Sequence, residues 1–203
     1  MRKEEDFLLP RRDAVARILQ DRGDALVVAG LGSPAYDCAA AGDHLLNFYL
    51  WGAMGSAAMV GLGLAMAQPG RRILVITGDG ELLMGLGSLA TIGAKKAGNL
   101  AIVVLDNERY GETGMQRSHT SMGVDLTGIA SAAGFVYATT VHDWKGLEAG
   151  IAALYGAQGP VLMTVKVSPV RDPLVMPPWD GHFLKLRFRQ ALLGMPESPE
   201  RSA

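Results

Sequence analysis

The sequence predicts an α/β protein built on an open, mostly parallel sheet with helices on both faces. Three observations carry that prediction. Short apolar, β-branched runs such as Ile73–Ile76 and Ala101–Leu105 have the length of buried strands. Between such runs, apolar residues recur at helical spacing. Polar, glycine-rich stretches then follow the strands at their carboxyl ends, the edge where open parallel sheets bind ligands.

Composition agrees. Hydrophobic residues make up 49%, aromatics only 6%, and there are 26 glycines, which favours close-packed α/β layers over a β-sandwich. At 203 residues a single domain is expected over 1–203, with its core from about 24 to 167 and a tail over 168–203. A net charge of −1 argues for neither nucleic acid nor an anionic membrane. The single cysteine, Cys38, excludes an internal disulfide and a cysteine-ligated iron–sulfur cluster. The charged N-terminal stretch lacks the apolar centre of a signal peptide, and the longest apolar run, Ala57–Ala67, is too short to span a bilayer. A soluble, cytoplasmic protein is the expectation.

In chain order, residues 1–9 read as a loose lead-in. Pro10 suits the start of a helix through Ala14, Val15, Ile18 and Leu19, ending near Gly23. Asp24–Ala29 reads as a buried strand. It enters the turn Gly30-Leu31-Gly32-Ser33-Pro34, where Ser33 suits an N-cap and Pro34 the first helical position. Leu45–Leu50 has strand character. Trp51-Gly52-Ala53-Met54-Gly55-Ser56 then opens a helix through Ala58, Leu62 and Ala67, its glycines allowing close backbone approach. Pro69–Arg72 is a surface turn. Leu82, Leu83, Leu86, Leu89 and Ala90 set a single helix, and Lys95 and Lys96 suit its C-terminus. Glu108–Ser121 reads as a polar, glycine-punctuated loop over the ligand edge with one helical turn, and Arg117–Thr120 within it as solvated. A helix over 124–134, a strand over 135–140, a helix over 143–155 capped by Asp143 and a strand over 160–167 complete the alternation. The tail from Ser168 is proline-rich, with a short helix about Phe183–Leu193 and a polar end.

The chemistry concentrates between Ile73 and Gly111. Gly78-Asp79-Gly80 follows one strand, and Asp106-Asn107 follows the next, so that Asn107 comes 28 positions after Asp79. A carboxylate and an amide oxygen are hard ligands for Mg²⁺, and backbone N–H groups at a helix start face a phosphate. Asp79 is expected at a solvent-facing strand end.

On these residues the chain resembles the cofactor-binding domain of thiamine diphosphate enzymes, whose fingerprint begins GDG and ends in an Asn-containing turn. The resemblance covers roughly Asp24 to Val167. It implies that Asp79, the side chain of Asn107 and the backbone carbonyl of Arg109 hold Mg²⁺. Gly80 and Glu81 would offer N–H groups to the diphosphate, with Gly78, Tyr110 and Gly111 lining the same site. Ser33 is either only a cap or a hydroxyl set against the diphosphate. Met54 is either ordinary core or the wedge that bends the cofactor into a V, with the Gly52 carbonyl accepting the 4′-amino group.

Three features resemble the sulfopyruvate and phosphonopyruvate decarboxylases within that family. They are the turn Leu105-Asp106-Asn107, the YG-x-TG-x-Q pattern from Tyr110 to Gln116, and a basic-aromatic C-terminal helix. The implied reaction is non-oxidative decarboxylation of a small 2-oxo acid to an aldehyde and CO₂. Pyruvate-type decarboxylases carry a catalytic Glu where this chain has Thr113, with Glu112 just before it. Thr113 and His119 are candidates to meet substrate, His119 together with Arg117, Ser118 and Thr120 if a sulfonate or phosphonate is bound. The family also needs a Glu on a pyrimidine-binding domain, and no glutamate here lies in a segment resembling one. A split enzyme is therefore expected, a hetero-oligomer whose partner subunit carries that domain. Two alternatives are half of an acetolactate synthase- or transketolase-like carbon–carbon ligase, and a non-catalytic cofactor-binding regulatory subunit.

Overall fold

A computed structural model describes residues 9–195; the remainder of the expected lead-in and polar end lie outside the described residues. The first half runs α1 (Arg11–Gln20), β1 (Leu26–Ala29), α2 (Ser33–Ala40), β2 (Asn47–Tyr49), α3 (Ala57–Ala67) and β3 (Ile73–Gly78). Next come α4 (Asp79–Met84), α5 (Ser88–Lys95), β4 (Leu100–Asp106) and a small hairpin of β5 (Arg109–Tyr110) and β6 (Gln116–Arg117). The chain closes through α6 (Leu126–Ala132), β7 (Tyr137–Val141), α7 (Trp144–Gly156), β8 (Val161–Lys166) and α8 (Gly181–Leu193). None of the described helices is long and apolar enough to cross a membrane.

Six strands form one sheet in the order β2-β1-β3-β4-β8-β7, and every pairing in it is parallel. Alternate residues of each strand feed opposite faces, because successive side chains point to opposite sides of the pleat. Val27, Leu74, Val103 and Met163 pack with α1, α2 and α7, through Ile18, Cys38 and Leu154 among others. Val28, Val75, Ile102 and Leu162 pack with α3, α5 and α6, through Leu62, Ile92 and Ala130. The strands are apolar on both faces because both faces are covered, which is why they read as continuous runs. The strand order reverses between β1 and β3, so the crevice at their carboxyl ends is the expected ligand position.

Four local expectations change. The helix after β3 is broken between α4 and α5 at Gly85-Leu86-Gly87, where Gly85 comes so close to Gly55 that no side chain fits. Ser33 is the first residue of α2 and makes no capping hydrogen bond; the cap position is Gly32, whose φ of 74° suits glycine. Arg72 is more than part of a surface turn, since its guanidinium donates to the carbonyls of Ala153 (3.1 Å) and Ala157 (2.8 Å) at the end of α7. Asp143 does cap α7, accepting from the Gly146 N–H at 2.7 Å. Leu9, assigned to the lead-in, is buried and bridges Val167.

Candidate active site

β3 delivers Gly78 and Asp79 to the ligand edge, and α4 starts at once. Asp79 is 2% exposed, which corrects the expectation of a solvent-facing residue. Its Oδ2 accepts from the Ser118 hydroxyl and lies 3.2 Å from the Thr120 hydroxyl oxygen. Neither hydroxyl is bonded to Oδ1. Burial pushes the Asp79 carboxyl up to about 6, and the nearby Asp106 charge adds to the push. Hydrogen bonds from Ser118, the Gly80 N–H and Thr120 oppose it. Gly80 has a packing reason to be glycine, because a Cβ there would lie 2.5 Å from the Tyr110 ring.

Glu81 turns its side chain away from the role expected of its backbone. The carboxylate is buried beneath Gly30, where an added Cβ would lie 1.8 Å from Oε2. Oε2 accepts from Thr77 Oγ1 (2.7 Å) and the Leu31 N–H (3.2 Å), tying the ends of β1 and β3 together. Burial raises the carboxyl, outweighing Thr77 and the pull of the Ala57, Leu31 and Gly55 N–H groups. The Oε1 atom itself makes no full hydrogen bond.

β4 brings Asp106 and Asn107 to the same edge. Asn107 Oδ1 accepts from the Arg109 N–H at 3.0 Å, and Glu108 between them has a φ of 60°, a left-handed conformation uncommon outside glycine. Lys166, at the end of β8, donates to Asp106 Oδ2 (2.8 Å) and Glu108 Oε1 (2.6 Å). The polar loop folds as the β5–β6 hairpin and a 3₁₀ turn over His119–Met122. That turn buries Ser118 and Thr120, so the loop is not simply solvated there.

Met54 reaches the site on a glycine-punctuated loop, with φ of 68° at Gly52 and 88° at Gly55. No atom stands within 4 Å of a Cβ built on Gly52, so the positive φ alone requires glycine there.

One cavity gathers most of the expected residues: Ser33, Met54, Gly78, Asp79, Gly80, Glu81, Asn107, Arg109, Tyr110, Gly111 and Thr113 all line it. Gly52 does not. His119 lies outside it too, beside Met54, Tyr110 and Met84 in an adjoining recess, with its Nδ1 3.3 Å from the Tyr110 hydroxyl. Thr113 Oγ1 is spent on Gln116 Oε1 at 2.8 Å. Arg11 also lines the cavity, although nothing in its sequence neighbourhood marks it. It is buried against Asp37 at 2.5 Å.

The residues fit a diphosphate held through a hard cation. Two oxygen donors, the Asp79 carboxylate and the Asn107 amide, share one cavity with the Arg109 backbone. A Cβ on Gly78 would meet only Pro34, at 4.0 Å, so its absence leaves room beside these donors.

Fold, switch-point cavity and GDG–Asn pairing together define a cofactor-binding domain, and residues 31–165 match the family described as thiamine pyrophosphate enzyme, C-terminal TPP binding domain. The chain belongs to that family. It is 36% identical over 191 residues to sulfopyruvate decarboxylase subunit beta of Methanothermobacter thermautotrophicus, covering 94% of this chain and 100% of that one. It is 43% identical over 148 residues to phosphonopyruvate decarboxylase of Streptomyces viridochromogenes, spanning 72% of this chain but only 36% of that longer enzyme. Among solved structures, the thiamine diphosphate-dependent 4-hydroxybenzoylformate decarboxylase of Rhodococcus jostii RHA1 superposes with a TM-score of 0.64 at 17% identity. The match covers 80% of this chain and 33% of that one, and at this identity it speaks for the fold.

Proposed function

We propose that the chain is the diphosphate-binding subunit of a split, thiamine diphosphate-dependent 2-oxo acid decarboxylase acting on a sulfopyruvate- or phosphonopyruvate-like substrate. The observation that carries this reading is the meeting of Asp79 and Asn107, from the ends of adjacent strands, in one cavity that also holds Met54. The two relatives described above, a beta subunit and the matching third of a longer decarboxylase, support both the activity and the split.

Thiamine diphosphate, when bound, supplies a nucleophilic carbon and an electron sink for the loss of CO₂. The chain's own residues bind and orient. Asp79, the Asn107 side chain and the Arg109 carbonyl would hold Mg²⁺, which would neutralise the diphosphate. The Gly80 and Glu81 N–H groups and the Ser33 hydroxyl, which is free of capping, would donate to the diphosphate. Gly78, Tyr110 and Gly111 wall the anchor. Met54 would support the rings, and the Gly52 carbonyl, outside the cavity wall, would accept from the aminopyrimidine. Thr113, in the cavity wall, and His119, in the adjoining recess, are the candidates to meet substrate.

Activation of the aminopyrimidine needs a carboxylic acid in contact with it, and Glu81 is tied down by Thr77 and Leu31. That acid comes from a partner subunit with a pyrimidine-binding domain. Met84 and Met122, each 68% exposed, are apolar surface of the kind a second protein covers, and Met84 lines the recess beside Met54. The test is to co-purify the protein from its source, measure the mass of the complex, and assay decarboxylation with the isolated and reconstituted subunits. Activity is expected only with the partner. Full activity from this chain alone would overturn the split.

A further inference from the structure

We infer that Lys166 is the positioning residue that holds the two halves of the cation site in register. It reaches the Asp79 carboxylate through Asp106 and Thr120, and the Asn107–Arg109 turn through Glu108. The inference rests on Asp79 and Asn107 being cation ligands, and it concerns a residue that touches neither.

β8 lies beside β4 in the sheet, and Lys166 is the register partner of Asp106. From there its ammonium makes two contacts that diverge. Towards β3, Lys166 meets Asp106 Oδ2 at 2.8 Å, while Asp106 Oδ1 accepts from the Thr120 hydroxyl at 2.7 Å. Thr120 in turn stands 2.9 Å from Ser118 Oγ, and both hydroxyls meet Asp79 Oδ2. Each hydroxyl has one proton to donate. With the Thr120 proton on Asp106 and the Ser118 proton on Asp79, the oxygens of both carboxylates that face this cluster are fixed. That arrangement turns Oδ2 of Asp79 into the cluster and leaves Oδ1 for a cation.

Towards the turn, Lys166 meets Glu108 Oε1 at 2.6 Å. Glu108 carries the left-handed backbone, φ 60°, on which the turn depends. Its neighbours Asn107 and Arg109 are the other two ligand positions, and its carbonyl accepts from the Ser118 N–H at 3.0 Å. A change at Glu108 therefore moves Asn107 and Ser118 together. Lys166 is 18% exposed and Asp106 is 3% exposed, so this pair works largely out of water, where a lost partner is felt strongly. A cation site whose ligands come from different strands depends on such outer contacts for its geometry.

The experiment measures Mn²⁺ binding by electron paramagnetic resonance in the full chain with thiamine diphosphate present, alongside thermal melting without either. Lys166→Met and Thr120→Val are expected to weaken Mn²⁺ binding by about 10- to 100-fold, the usual range for outer contacts of a metal site. Lys166→Arg, which can still meet both carboxylates, is expected to restore most of the affinity. A purely structural ion pair would instead lower the melting temperature and leave the affinity of the folded protein alone. Asp79→Ala separates the two layers. Loss of Mn²⁺ binding in Asp79→Ala with unchanged affinity in Lys166→Met would overturn the inference and leave the ligands standing. Unchanged binding in Asp79→Ala would overturn both. If Lys166→Met fails to fold, unchanged affinity in folded Thr120→Val is enough to reject the relay.

Discussion

The carbonyl of Gly55 stands where a side chain on Gly85 would begin: a Cβ built on Gly85 would lie 2.1 Å from that oxygen. The φ of Gly85 is −105°, which any residue can adopt, so packing and not backbone conformation requires glycine there. The contact presses the end of α4 against the loop that carries Met54, one residue before Gly55. Gly85→Ala is therefore expected to destabilise the protein by about 1–3 kcal/mol, the range for forcing atoms into a packed site. Turnover in the assembled enzyme should fall with it, because the wedge loop moves. Urea midpoints and kcat measured on one preparation check both, and wild-type values for the two would show that the loop is held by other contacts.

Met54 itself separates anchoring from ring support. Replacing it with Ala removes a side chain from the cavity wall without touching Asp79, Asn107 or the N-terminus of α4. Thiamine diphosphate affinity should stay within about threefold, while kcat falls by about 10- to 100-fold, the scale of effect that slight misplacement of reacting groups produces. Calorimetric titration and steady-state assay of the reconstituted complex read the two quantities. An unchanged kcat would return Met54 to the ordinary core.

Much of this site could be read in the chain because its signals are local. Strand runs, the GDG turn and Asn107 are each written within a few residues, and a parallel sheet places strand ends at one edge. What stayed hidden depends on residues far apart in sequence. Ser118 and Thr120 sit in a polar loop, and only folding carries them to Asp79, 39 and 41 positions earlier. Lys166 lies inside the strand expected over 160–167 with nothing local to mark it, and only the register of β8 against β4 sets it opposite Asp106. The apolar spacing from Leu82 to Ala90 concealed a break, since Leu82 and Leu89 face the same core from two different helices. At Glu81 the sequence marks the backbone and not the side chain. Its backbone position suits an anion, but its side chain occupies the space that Gly30 leaves open.

Asp43 and Arg187 make the docking of α8 sensitive to acid. The guanidinium meets both carboxylate oxygens, at 2.5 and 2.9 Å, and the Tyr49 hydroxyl donates to Oδ1 at 2.9 Å. Burial pushes the Asp43 carboxyl up, but the hydrogen bonds from Arg187 and Tyr49 outweigh it and hold it below the usual carboxylate range. A depressed value in the folded state means that stability is present above the unfolded value, about 3.9, and is lost as pH falls through the folded one. Arg187→Met should flatten the fall in melting temperature between about pH 5 and pH 3. The effect is modest, because the pair is partly exposed. Identical acid slopes in the two proteins would remove Asp43 as the titrating group.

Asp79→Asn sets stability against binding at a single position. A carboxylate 2% exposed, pushed up to about 6 by burial and by Asp106, is held in its charged form at neutral pH against a penalty. The amide keeps the shape and an acceptor oxygen for the Ser118 hydroxyl while removing the charge. The protein without cofactor should therefore be more stable by about 2 kcal/mol and melt several degrees higher. The wild-type chain should gain about 2.7 kcal/mol from thiamine diphosphate and Mg²⁺ supplied at a hundred times their dissociation constant. The variant should lose nearly all of that gain, because a neutral amide is a much poorer partner for Mg²⁺ than a carboxylate. Melting each protein with and without the pair of ligands gives four temperatures, and the two changes are expected to have opposite signs. A variant stabilised by cofactor and Mg²⁺ as fully as the wild type would remove Asp79 from the metal site, whatever its effect on the protein alone.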